Sequence, residues 1–428
     1  MSVAPPSLPA PSRRSRRWLA ALLALAALLG AGVWGGRHLW AWYHFRAARA
    51  ALEDRARARE ALDHLASCAT VWGADPAVHL LAARAARLAG DFPRSEEHLD
   101  ACWRLSGSTD EWVLEQTLLT AQRDGLDREA EAYLVVRLAH DEGAALPILD
   151  VLTAAYLRAH RLVEARERLD EWLRRRPGDA EALVRRAWVA EHLFLVAEAL
   201  ADYGAVLEQE PGRHPVRLRV AELLLQTERP AEARPHLERL SADRPDDPAV
   251  RLALARCRAR LGDVDEARRL LDELIAAGDP GAAVLCERGK LALASGVATE
   301  AEVWLRRAAE LAPHDREVIY QLRLCLERLG KDADARDCAR RLEQIDADLK
   351  RMRELVRRVL ESPHEAALRC EVGEIFLRNG LTEDGVRWLG TALTEDPGCA
   401  RAHASLADHF ERSGDAARAA FHRRQAGR

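Results

Sequence analysis

The sequence predicts an all-α protein, a right-handed superhelical solenoid of about nine helical hairpins carried on one N-terminal transmembrane helix. Three observations point there. Prolines fall at Pro177, Pro211, Pro245, Pro280, Pro313, Pro363 and Pro397, at spacings of 34, 34, 35, 33, 50 and 34 residues. Small and bulky apolar residues recur at fixed places inside that period. Composition supplies the third, since Ala, Leu, Arg and Glu dominate and lose little side-chain freedom in a helix. A 428-residue chain exceeds one ordinary core, and an array that grows by stacking accommodates the length.

Taken in order, residues 1–17 read as a disordered basic tail, with Pro5, Pro6, Pro9 and Pro11 ahead of Arg13, Arg14, Arg16 and Arg17. Residues 18–36 carry no charge, and at a rise of about 1.5 Å per residue they cover roughly 28 Å, the hydrocarbon thickness of a bilayer. Trp18, Trp34, Trp40, Trp42 and Tyr43 sit where interfacial aromatics belong. Only Gly30-Ala31-Gly32 offers small residues for cleavage and the apolar run continues past it, so the segment reads as a retained signal-anchor. The Arg cluster before the span places the solenoid on the periplasmic side of a bacterial cytoplasmic membrane. Bacterial origin is inferred from the preference for Arg over Lys, which occurs only at Lys290, Lys331 and Lys350. Residues 37–75 are expected as a connecting helix or partial repeat, with 42–69 as one continuous helix.

Residues 1–60 hold ten Arg against Glu53, Asp54 and Glu60, so the formal net charge of −4 leaves the remainder strongly acidic. A body of that sign repels phosphate backbones, which argues against a nucleic-acid partner.

Within the period, the unit starting at Ala282 places Gly289 eighth, Ala301 twentieth, then Leu305, Ala308 and the closing Pro313. The unit from Ala180 puts Ala187, Ala199, Tyr203, Val206 and Pro211 at those positions, and the unit from Leu146 gives Tyr156, Ala165, Leu169, Trp172 and Pro177. The turns repeat as Ala89-Gly90-Asp91, Asp124-Gly125, Leu261-Gly262-Asp263, Leu329-Gly330, Asn379-Gly380 and Ser413-Gly414-Asp415. Glycine there can end one helix in the left-handed conformation while the Asp caps the next. On these residues the chain resembles the tetratricopeptide-repeat (TPR) family over about residues 77–428. The resemblance implies a protein-binding solenoid whose first helices line a concave groove and whose motif residues pack without doing chemistry.

The array is expected over 76–332, and a C-terminal TPR pair over 363–428. Between them, 333–362 contains no breaker, which predicts an extended or inserted helix. On it Leu342, Ile345, Leu349, Met352, Val356 and Val359 form a stripe at alternating spacings of three and four. Such a stripe either docks on the solenoid's own helices or supports self-association into a homodimer.

Signals for catalysis are missing. The eight cysteines include no Cys-x-x-Cys pair, and the sequence holds no zinc-finger spacing, phosphate loop or nucleophile elbow, so no enzyme, metal or cofactor is expected. Cys325 and Cys338 flank the Gly330 turn at similar distances, which makes them a candidate disulfide. By register, the groove candidates are Trp188, Glu191, His192, Glu222, Arg256, Arg260, Lys290, Tyr320, Glu374 and Arg378, with Glu327, Asp408 and Arg412 beside them. Arg256, Arg260 and Lys290 form a basic stretch suited to an acidic segment. With Asn379 as the single Asn, the groove can build neither the carboxylate clamp nor the asparagine ladder of other TPR domains. The expected function is a membrane-tethered scaffold for protein or peptide partners. The alternative is an envelope-biogenesis factor, since the architecture also resembles membrane-anchored TPR proteins of lipopolysaccharide assembly and cytochrome c maturation.

Overall fold

The computed structural model describes residues 13–52, 57–278, 280–362 and 364–427, with the side chains of 13–24, 26 and 27 outside that set. Among the described residues there are 22 α-helices and no strand, in two compact units, Met1–Val151 and Leu152–Arg428. No described helix is long and apolar enough to cross a membrane. The expected span, 18–36, falls on α1 (Arg13–Ala51), and its side chains at 18–24, 26 and 27 lie outside the described set.

In the first unit, α2 (Ala58–Trp72) folds back along α1. Ala41, Ala48 and Ala51 on α1 bury against Ala61, Leu65 and Cys68, and the Trp72 indole donates to His38 Nδ1 at 2.8 Å. Residues 42–69 are therefore a hairpin and not one helix. Alanine faces let two helices approach closely, and that packing reverses the chain without a Gly or Pro. Next, α3 (Pro76–Ala89) starts where the Asp75 carboxylate accepts from the Ala77 amide. It ends at Gly90, whose φ of 79° suits glycine. In α4 (Phe92–Ser106), Ser95 Oγ donates to the Ala83 carbonyl at 2.9 Å, and Leu99 packs on Ala83 and Leu119. Beyond α5 (Asp110–Arg123), α6 (Arg128–His140) buries only Leu134 and Leu138. The sequence reading placed no boundary inside 76–332, yet the division falls within α7 (Ala145–Arg158), soon after this thinly packed helix.

The second unit continues with α8 (Leu162–Arg175), α9 (Ala180–His192), α10 (Val196–Gln209), α11 (His214–Gln226), α12 (Pro230–Asp243), α13 (Pro248–Arg260) and α14 (Val264–Ala276). Then come α15 (Ala282–Ala294), α16 (Ala298–Leu311), α17 (Arg316–Arg328), α18 (Asp332–Glu361), α19 (Ala366–Arg378), α20 (Thr382–Glu395), α21 (Ala400–Arg412) and α22 (Ala416–Ala426). Asp179, Asp247 and Asp315 cap α9, α13 and α17 by accepting from backbone amides of the first turn. Glycine is dispensable at the hairpin turns. His160, Phe194 and Glu228 occupy them at φ of 57°, 58° and 56°, left-handed values that cost a side-chain-bearing residue about 1 kcal/mol.

The small positions set how near paired helices come. Ala187 and Ala199 are fully or almost fully buried, as are Ala221 and Ala233. At Gly289, a Cβ would stand 2.6 Å from Leu305 Cγ. At Gly373 it would stand 2.7 Å from Leu389 Cγ and 2.9 Å from the Gly385 carbonyl oxygen.

Two features depart from a plain array. Helix α18 is one unbroken 30-residue helix, packed along α17 and α19. Its stripe is covered within the chain: Leu342, Ile345, Met352, Val356 and Val359 are buried and Leu349 is half-buried. Asp348, buried within the same face, is held by Arg378 at 2.6 Å, Asn379 at 2.9 Å and Gln344 at 3.2 Å. The second feature is a contact between residues far apart in sequence. Arg369 on α19 donates to Glu164 on α8 at 3.1 Å, and the Trp388 ring on α20 meets His160 edge-on at 5.3 Å. Arg369 and Trp388 are each 1% exposed.

Gly373→Ala forces overpacking worth about 1–3 kcal/mol and should lower the urea unfolding midpoint. Gly390→Ala, in the same hairpin with nothing within 4 Å of its Cβ, should leave the midpoint unchanged or raise it.

Candidate partner-binding groove

The residues that the sequence nominates for a groove lie on first helices, and the structure shows most of them engaged with one another. On α9, the Glu191 carboxylate accepts from Tyr203 Oη at 2.7 Å and from Arg219 Nε of α11 at 2.6 Å. Arg219 also donates to Glu222 at 2.8 Å. Arg256 on α13 donates to Glu287 on α15 at 3.0 Å. Lys290 lies 3.2 Å from Glu287 and 3.1 Å from Glu317 on α17. On α19, Glu374 accepts from Arg401 Nε at 2.8 Å and Ser405 Oγ at 2.9 Å, both on α21.

The separations in sequence between partners on successive first helices are 27 to 31 residues. That is a little under one repeat, because the end of one first helix stands beside the beginning of the next. The first unit repeats the pattern, with Arg84 and Arg87 on α3 both meeting Glu115 on α5. Burial pushes the fully covered Glu115 carboxyl up, but the two guanidinium groups outweigh it and hold it below the usual carboxylate range.

Other candidates are placed differently. Arg260 Nη1 donates to the Leu225 carbonyl at the end of α11, and Arg328 treats the Leu293 carbonyl at the end of α15 the same way at 2.6 Å. Both add a charged donor to helix-terminal carbonyls that also accept a backbone amide, from Glu228 and Gly296 respectively. Arg378 serves the α18 anchor at Asp348. The basic stretch Arg256, Arg260 and Lys290 is accordingly neutralised by Glu287, Glu317 and Glu228. Glu327 pairs with Arg323 on its own helix, and Arg412 donates to the Asp408 carbonyl.

Aromatic faces remain half-exposed between these pairs. The Trp188 and His192 rings lie with centroids 3.7 Å apart, tilted by 35°, and the Arg323 guanidinium lies 5.4 Å from the Tyr320 ring centre. The sequence reading missed the partners Arg219, Glu287, Glu317, Arg401 and Ser405. The signal for them is complementary polarity at one period minus three to seven residues.

Cys325 and Cys338 occupy one apolar cluster but are free thiols. The Cys325 thiol donates to the Ala298 carbonyl at 3.2 Å, which turns it toward the preceding hairpin. Among the described residues, no group of three or more His, Cys, Asp or Glu side chains could hold a metal ion.

Histidine pairs clamp two hairpins. His79 Nε2 donates to the Gly73 carbonyl at 3.0 Å, so its Nδ1 accepts from His98 Nδ1 at 3.2 Å. His403 repeats this with Pro397 and His422. Burial and the facing ring depress His98 and His422, and burial together with His192, Arg387 and Arg369 pushes His160 down to about 3.

Residues 196–251 and 228–285 match one tetratricopeptide-repeat family model, and 258–316 and 373–423 match a second. These segments are tetratricopeptide repeats. The matched segments run from α10 through α16, and from the middle of α19 into α22. No curated protein is similar to the chain in sequence. Among solved structures, similarity extends to a tetratricopeptide repeat protein from Parabacteroides merdae, 19% identical over 59% of this chain and 98% of that one, with a TM-score of 0.36. PilW, a type IV pilus biogenesis factor, is 18% identical over 46% of this chain and 91% of its own, at 0.39. Human IFIT1, solved as a dimer with PPP-AAAA, is 16% identical over 82% and 90%, at 0.38. Identities and scores this low transfer no partner or activity.

Glu287→Gln removes the negative charge shared by Arg256 and Lys290 and should cost about 1–2 kcal/mol, read as a lower urea midpoint with helical content retained. The histidines predict acid sensitivity. The folded values of His98, His160 and His422 lie below the unfolded value of about 6.5, so their contribution is complete above that pH and is lost as pH falls below it. The midpoint should fall between pH 7.5 and 5.5, and His160→Gln should make that fall shallower.

Proposed function

We propose that the chain is a membrane-tethered TPR scaffold that receives a protein or peptide segment in the groove formed by the first helices between α9 and α21. One observation carries the reading: charges along the groove are already paired between successive first helices, while Trp188, His192 and Tyr320 stay accessible. An incoming segment gains apolar contact from the aromatic faces and is selected by whether it can share or replace the existing pairs. This is binding chemistry, and the reading is of a scaffold and not an enzyme.

The tether reading is supported by α1. Leu25, Leu28, Leu29, Val33, Trp34, Leu39, Trp40, Trp42 and Tyr43 are between 45% and 71% exposed. So dense a strip of exposed apolar and aromatic side chains on one helix fits a lipid environment better than water. With the basic residues before the span, the reading places the solenoid on the periplasmic side of a bacterial cytoplasmic membrane.

Site-specific photo-crosslinking in cells tests the groove. A photoreactive residue at Tyr320 should give discrete protein adducts, and one at Glu238 on α12 should give none. Equal adducts from both positions, or none from Tyr320, would count against a groove site. C-terminal fusions to reporters active only in the periplasm or only in the cytoplasm test the tether and its orientation. Periplasmic activity from a membrane-pelleting fusion is the expected result.

A further inference from the structure

Seven of the eight cysteines are buried, and Cys399 is half-exposed. Cys399 is the residue immediately before α21, and it packs against the apolar cluster that contains Cys370, the fifth residue of α19. The Cys370 side chain is fully buried, and after burial and Glu374 the Cys399 thiol is a further neighbour that raises its pKa. Repeat geometry accounts for the meeting, since the fifth residue of a first helix faces the residue that precedes the next first helix, 29 positions on. Cys286 on α15 senses the charge of Asp315 before α17 by the same rule. Only between α19 and α21 do both positions carry sulfur.

We propose that Cys370 and Cys399 form a disulfide that staples α19 to α21 when the chain meets a disulfide oxidant of the glutathione class. The half-exposed Cys399 reacts first. Its thiolate attacks one sulfur of glutathione disulfide, the S–S bond breaks, and one glutathione leaves as thiolate with the bonding pair. Cys370 then attacks Cys399 Sγ, its proton passing to the departing glutathione sulfur. The second glutathione leaves and is protonated. Two protein thiols are oxidised, and one glutathione disulfide is reduced to two thiols. Burial, with Glu374 beside it, pushes the Cys370 thiol up to about 12, so the half-exposed Cys399 and not Cys370 meets the oxidant first.

The test incubates the full chain with reduced and oxidised glutathione, quenches in acid, alkylates remaining thiols under denaturant and digests with trypsin. The tryptic peptides 370–378 and 388–401 should be recovered joined and should separate on reduction. Oxidation should raise the thermal midpoint by about 5 °C. In Cys370→Ser, Cys399 should retain glutathione as a lasting mixed disulfide, whereas in Cys399→Ser the Cys370 peptide should stay a thiol. The proposal is overturned by a lasting glutathione adduct on Cys399 in the unaltered chain, by joining of Cys325 to Cys338 in its place, or by recovery of both peptides as thiols.

Discussion

The distance between the two helices of a hairpin is the quantity on which the rest depends, and one or two small side chains set it. Where Gly373 faces Leu389 and Gly289 faces Leu305, no room exists for even a methyl group. Where Ala83 faces Leu99, a methyl just fits and the neighbouring Ser95 hydroxyl ties the backbones together. Fixing that separation fixes where each hairpin presents its outer face, and the next hairpin docks against it. Stability in such arrays is a sum of repeat terms and neighbour interfaces, so a change at one small position propagates into two interfaces.

The same regularity explains the electrostatics of the groove. Because each first helix sits one repeat from the next, a charged residue near the end of one stands beside positions near the start of its successor. In this geometry an Arg or Lys can find a carboxylate about thirty residues away, as Arg256 finds Glu287 and Arg401 finds Glu374. Pre-paired charges contribute orientation and discrimination more than affinity. A ligand that only adds charge gains little here, since every new pair competes with an existing one.

Much of this was legible in the sequence. The 34-residue period, the small eighth and twentieth positions and the glycine turns located the helices, and they did so because each reports a local steric requirement. The turns at His160, Phe194 and Glu228 were not legible, because a left-handed residue with a side chain leaves no compositional mark. The α1–α2 reversal was missed for a related reason, since an alanine face can pair with another helix or continue in one. Trp188, Glu191, Arg256, Lys290 and Glu374 were legible as groove candidates by register, but without their partners. Their pairing needs the register between successive repeats, a relation that no single hairpin contains. The candidate pairing of Cys325 with Cys338 used symmetry about one turn, whereas the neighbourhood of Cys370 and Cys399 is set by the step from one repeat to the next.

The contact of Arg369 and Trp388 with Glu164 and His160 changes how the second unit can come apart. An open row of repeats behaves as a one-dimensional chain with two loose ends, and fraying starts wherever a terminal unit has one neighbour instead of two. Here α8 and the α19–α20 hairpin each gain an extra neighbour across 205 positions of sequence, so the intervening helices have no terminus from which to peel. Only α21 and α22 lie beyond the closure at the C-terminal side. Fraying into α9 to α18 from either side then has to break this contact as well as the local interface, which ties their amide exchange to the closure.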